Sequence, residues 1–121
     1  MQLRRRRHEL HLRRIDVAAM LGTSWKSLMW WEQDAREPLP RFYPAIIRFL
    51  GREPWPQPVT LPEQLLAERR RRGLTIQETA KAVGVDEGTY GRWESGVWKP
   101  QLRFGTLVEG FLEPVSRPMR E

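Results

Sequence analysis

The 121-residue sequence has no cysteine and only two histidines, His8 and His11. Without thiols there is no disulfide framework and no thiolate metal site, and two imidazoles cannot build a zinc centre without carboxylate help. Long apolar runs are also missing. The longest, Val17 to Leu21 and Pro44 to Leu50, fall far short of the roughly 20 residues that cross a bilayer. The start, MQLRRRRHELHLRR, has the charge of an export signal but not the apolar stretch that must follow it. No carboxylate pair or glycine-rich phosphate loop stands in a setting suited to catalysis. The expectation is a cytoplasmic, non-enzymatic protein without membrane span, metal, cofactor or evident small-molecule ligand.

What is abundant is positive charge. Lys and Arg number 21 against 15 Asp and Glu, a formal net charge of +6, so the surface should attract a polyanion, whether nucleic acid or an acidic membrane face. Hydrophobic residues make up 40% of the chain, enough for compact cores of modest size.

The chain also repeats itself. Displaced so that Leu3 falls on Leu65, it brings Arg7 onto Arg69, Leu12 onto Leu74, Ala18 onto Ala80, Gly22 onto Gly84, Trp31 onto Trp93 and Glu32 onto Glu94. Further on, Pro38 meets Pro100, Arg41 meets Arg103, Phe42 meets Phe104, Phe49 meets Phe111 and Leu50 meets Leu112, all without a gap. These are the apolar, turn and ion-pairing positions on which one small fold would depend, so the pattern reads as a duplicated unit.

Between the copies, the stretch Arg52 to Pro62 holds Pro54, Pro56, Pro58 and Pro62, which forbid a continuous helix or a central strand. The expected organisation is a first unit over 1–51, a stiff extended linker over 52–61, and a second unit over 62–121 ending in a short tail. Thr60 and Glu63 have capping-box spacing for a helix restarting at Pro62. In the second copy Leu65, Leu66 and Arg69 share a helical face that ends at Gly73. Thr75 caps a second helix with Thr79, Ala80 and Val83 inward, ended by Gly84. Asp86 caps a third, with Tyr90 and Trp93 inward, and after Pro100 a fourth helix offers Leu102, Leu107, Val108, Phe111 and Leu112. The first copy yields the same four pieces, with Ser24 capping its third helix. Strand-like alternation is absent, so the predicted fold is all α, two tandem units of four to five helices each.

The stretch RGLTIQETAKAVGVDEGTYGRWESGVWKP, from Arg72 to Pro100, strongly resembles the Cro/C1-type helix-turn-helix family, often called XRE-like. The shared elements are Gly-Leu-Thr before the motif, the small Ala80, Gly84 in the tight turn, and Trp-Glu-x-Gly ahead of a loop with proline. A small residue lets two helices approach, glycine allows the positive φ of the turn, and Tyr90 and Trp93 plug the wedge between them. Ala18, Gly22, Leu28 and Trp31 repeat the pattern in the first copy. The resemblance therefore implies two tandem phage-repressor-like units.

It also implies a buried structural ion pair in each, Arg7 with Glu32 and Arg69 with Glu94. The family's phosphate-touching glutamine, just after the threonine that opens the motif, is replaced by Ile76 in the second copy and by Arg14 in the first. Ile76 cannot make that contact, whereas Arg14 can make a charge-assisted one.

By the same analogy, the base-facing positions of the second copy are Glu87, Gly88, Gly91 and Arg92. Arg92 can bind guanine through its fork, Glu87 can accept from cytosine, and the glycines permit close approach. In the first copy the equivalents are Trp25, Lys26, Met29 and Trp30. Two tryptophans and a methionine form a poor base-reading set, and three readings of this face stay open: DNA contact, a protein or homodimer interface, and packing of Trp30 on the linker around Trp55. Arg13, Arg14, Ser27, Arg36, Arg70, Thr75, Thr89 and Lys99 are the expected phosphate contacts. The function implied is sequence-specific binding of double-stranded DNA by a transcriptional regulator, a repressor or autoregulator, acting at the nucleoid. The alternative is a helix-turn-helix protein-binding module, such as an antitoxin or antiactivator, working through Trp25, Met29 and Trp30.

Overall fold

In the computed structural model, which describes residues 1–113, the chain forms eight α-helices and no strand among those residues. They are α1 (Leu3–Glu9), α2 (Arg14–Leu21), α3 (Trp25–Glu32), α4 (Tyr43–Leu50), α5 (Leu61–Arg72), α6 (Ile76–Val83), α7 (Glu87–Ser95) and α8 (Gly105–Leu112). Short 3-10 turns, Pro40–Phe42 and Leu102–Phe104, lead into α4 and α8. Two compact units result, Met1–Pro56 with Arg71–Gly73, and Gln57–Arg70 with the chain from Leu74 on. The expected C-terminal tail lies outside the described residues.

Local chemistry explains where the motif helices begin. Ser24 Oγ accepts the Ser27 N–H at 3.1 Å to start α3, and Asp86 Oδ2 accepts the Thr89 N–H at 3.0 Å to start α7. At α6 the capping is reciprocal: Thr75 Oγ1 accepts from the Glu78 N–H at 3.0 Å, and Glu78 accepts from the Thr75 N–H at 2.9 Å. The lead-in to α5 is built alike, with Glu63 accepting the Thr60 N–H at 3.0 Å. Gly22 and Gly84 end α2 and α6 at φ 77° and 98°, left-handed values that a side chain would strain.

Each unit closes around its own core. In the first, Leu3, Val17, Ala18, Leu21, Leu28, Trp31, Ile46, Phe49 and Leu50 pack together. In the second, Leu65, Ala80, Val83, Tyr90, Trp93, Val108 and Phe111 do so. The aromatic geometry matches between them. Trp31 and Phe42 meet at 5.1 Å and 55°, and Trp93 and Phe104 at 5.3 Å and 58°. The fourth segment differs from the sequence reading. Leu102 is 99% exposed and Leu107 42% exposed, because the chain makes a 3-10 turn after Gln101 that swings Phe104 inward in their place.

One core position carries a cost. Thr79 is fully buried, yet its hydroxyl has no hydrogen-bond partner, whereas the corresponding residue of the first unit is the equally buried Val17. Thr79→Val removes an unsatisfied polar atom without changing shape and should stabilise the protein by about 1 kcal/mol. A denaturant midpoint that falls in this variant would contradict that reading.

Candidate nucleic-acid interface

Each motif is a helix pair hinged at a glycine and pulled together by a small residue. Ala18 and Ala80 are both buried, so α2 meets α3 and α6 meets α7 at close range. A charged clasp then fixes each pair to the preceding helix. Arg7 Nε and Nη2 donate to Glu32 at 2.7 and 3.2 Å, and Nη1 donates to the Leu12 carbonyl at 3.4 Å. Arg69 repeats this with Glu94 at 2.8 Å twice and the Leu74 carbonyl at 3.0 Å. Such bidentate, nearly dry pairs hold geometry rather than ligands.

Glu32 has a further partner. The Arg14 Nε donates to it at 3.0 Å, which turns this guanidinium toward the clasp although it was expected to face a phosphate. Burial pushes the Glu32 carboxyl upward, but the hydrogen bonds from Arg7 and Arg14 outweigh it and hold the group below the usual carboxylate range. Tyr90 is neutral for a related reason. Its hydroxyl donates to the Leu65 carbonyl at 3.3 Å, and burial pushes its acidity far out of reach, with neighbouring Glu94 adding to the shift.

The outer face of α7 is polar. Glu87, Gly88 and Arg92 are exposed and Gly91 is half-buried. The Arg92 guanidinium lies 4.5 Å from the centre of the Trp98 ring. It also runs close to Gly88, where an added Cβ would sit 3.0 Å from Nη1. Glycine at 88 leaves room for the guanidinium at the start of the helix. The hydroxyl and N–H of Thr89 hold Asp86 below the usual carboxylate range, and Arg92 adds to the effect. The Thr89 hydroxyl is spent on Asp86 at 2.6 Å, and Thr75 Oγ1 on the α6 cap. Lys99 is exposed, and Arg70 is half-buried on α5.

The outer face of α3 is built differently. Trp25 is 52% exposed and Lys26 is open to solvent, while Ser27, Met29 and Trp30 are half-buried. Trp30 packs on the first core and carries two cations, Arg36 at 4.0 Å and Lys26 at 5.4 Å from its ring centre. The packing reading had placed Trp30 on the linker around Trp55. Trp55 instead meets Tyr43 edge-on at 6.0 Å and donates to Glu53 at 3.1 Å. Arg13 is engaged at the start of α2, donating to Asp16 at 3.0 Å. Sequence reasoning missed Ile15 and Met20, two further exposed apolar side chains of the first unit, on α2. The repeat held a usable signal, since the matching positions of the second unit are Gln77, Ala82 and Glu87.

Among the described residues no cluster of His, Asp and Glu could hold a metal ion, and no helix is long and apolar enough to cross a membrane. No curated protein and no solved structure matches the chain. The model of a helix-turn-helix family does match, over residues 65–109, the stretch from the first core leucine of α5 through both motif helices and into α8.

Proposed function

We propose that the chain binds double-stranded DNA as a transcriptional regulator and that α7 is its principal reading helix. The observation that carries this is the coincidence of the family match with a capped helix pair whose second helix exposes Glu87, Gly88 and Arg92. The net charge of +6 favours the same partner. Arg92 and Glu87 would take base edges, and Lys99, Arg36 and Arg70 the backbone. Both clasps and both aromatic pairs recur with nearly the same distances, which supports reading the first unit as a copy of the second, with the boundary in the proline-rich segment. Activity without a catalytic step follows from this reading, as does an intracellular site of action at the nucleoid.

The test is selection from a random duplex library, followed by binding of the enriched site. Arg92→Ala should lose roughly 1–3 kcal/mol on that site and relax one base pair, while Lys99→Ala should weaken all sequences alike. Failure to enrich any sequence would remove the specific-binding reading.

The exposed Trp25, with Ile15 and Met20, favours a second reading for the first unit, a docking face for a protein such as a toxin, an activator or another copy. Trp25→Ser should then abolish capture of the partner and leave the DNA preference of α7 unchanged. Loss of DNA preference in this variant would make α3 the reader instead.

A further inference from the structure

The two units share one feature in exchanged order. In the first, the indole is on the helix, Trp30 of α3, and the guanidinium comes from the following loop, Arg36, at 4.0 Å. In the second, the guanidinium is on the helix, Arg92 of α7, and the indole comes from the loop, Trp98, at 4.5 Å. Positions 30 and 92 correspond in the repeat, as do 36 and 98. The residue types have changed places while the stack persists. A requirement for a particular residue at a particular position would not survive such an exchange, whereas a requirement for a stacked guanidinium at this end of the motif does.

A stack of this kind leaves the cation ready to bind. The indole takes the flat face of the guanidinium, and the five N–H donors in its plane remain free at the edge. An exposed arginine otherwise samples many rotamers and must be ordered on binding, a cost that a preformed stack removes. In the second unit Gly88 leaves the space beside Arg92 Nη1 open, where an added Cβ would lie at 3.0 Å.

We propose that the guanidinium–indole pair is a positioning device present in both units, in which Trp98 presents Arg92, and Trp30 presents Arg36, to the paired acceptor oxygens of a nucleic-acid backbone or base edge. This rests on the DNA reading above. Trp98 touches no nucleic acid in this scheme and acts through Arg92.

The probe is a labelled duplex of mixed sequence, titrated with the full chain at several salt concentrations. Each backbone contact contributes about 0.9 to the slope of log K against log salt. On a duplex of mixed sequence, which does not offer Arg92 its preferred base edge, the guanidinium meets phosphate, so Arg92→Ala should flatten the slope by about 0.9, and so should Trp98→Ala, although tryptophan carries no charge. The affinity loss in W98A should be about two- to fivefold. W98Y, which keeps a ring, should recover most of it, and the double variant should be no weaker than R92A alone. Arg36→Ala should flatten the slope as Arg92→Ala does. The exchange variant R92W/W98R, which gives the second unit the order of the first, should keep the wild-type slope.

Wild-type slope in a folded W98A, effects that multiply in the double variant, or a folded exchange variant with a flattened slope would each overturn the proposal. Absence of any duplex binding by the wild-type chain at low salt would instead overturn the DNA reading and this inference with it, so the two failures are told apart by one control.

Discussion

Glu32→Gln should destabilise the first unit by about 3–5 kcal/mol, the range for breaking a buried ion pair from one side. The Glu32 side chain is only 1% exposed and gathers Arg7 and Arg14. Removing its charge strands the nearly buried Arg7 guanidinium. A core of this size rarely supplies more than about 3–5 kcal/mol, so the loss is comparable to the whole stability of the unit. Replacing both Arg7 and Glu32 with apolar residues of similar volume should cost less than either single change, because no charge is then left behind. Thermal and denaturant melts of the three variants check this. A double variant as unstable as the sum of the singles would show that the pair is not acting as a pair.

The same clasp sets an acid limit. The folded-state carboxyl of Glu32 is depressed, so its contribution is fully present above the ordinary carboxylate range and is lost as pH falls through the folded value. Wild-type stability should drop on the acid side, and the drop should be shallower in Glu32→Gln.

Trp93→Ala should cost the second unit about 3–5 kcal/mol, the usual range for truncating a buried large aromatic. Trp93 is buried, holds Phe104 at 5.3 Å and sits in the core that seats α7. Its loss should abolish DNA binding through collapse of the reading helix, whereas Glu87→Ala should change sequence preference with little effect on melting. A Trp93→Ala protein with a near wild-type melting curve would place the weight of this core elsewhere.

These expectations rest on features unequally visible in the sequence. The helix pairs were legible because their determinants are local: Asp86 and Ser24 as caps, Gly22 and Gly84 as stops, Ala18 and Ala80 as points of close approach. The burial of Trp93 and Trp31 followed from the repeat. Leu102 was misread because a 3-10 turn has a different side-chain period from the helix assumed after Pro100, and the difference lies in backbone that no single residue announces. None of the three readings of the α3 face placed a cation on Trp30. Trp30 is half-buried against the first core, and Arg36, six residues on, returns across its ring, a return that depends on the fold of the loop. Arg14 escaped for a similar reason: only the assembled helices bring it to Glu32, a partner 18 residues away. The exchanged Trp and Arg positions were in the sequence, but they become meaningful only once both stacks are seen.

Binding of the full chain to a labelled duplex of mixed sequence, followed by anisotropy between about 50 and 200 mM salt, tests the central claim most directly. If the chain is a DNA-binding protein, log K should fall linearly with log salt, with a slope of several units set by the phosphates that Arg36, Arg92, Lys99 and their neighbours neutralise. A slope near zero, or no binding at the low-salt end, would contradict the account and leave the apolar face of the first unit as the main clue to function.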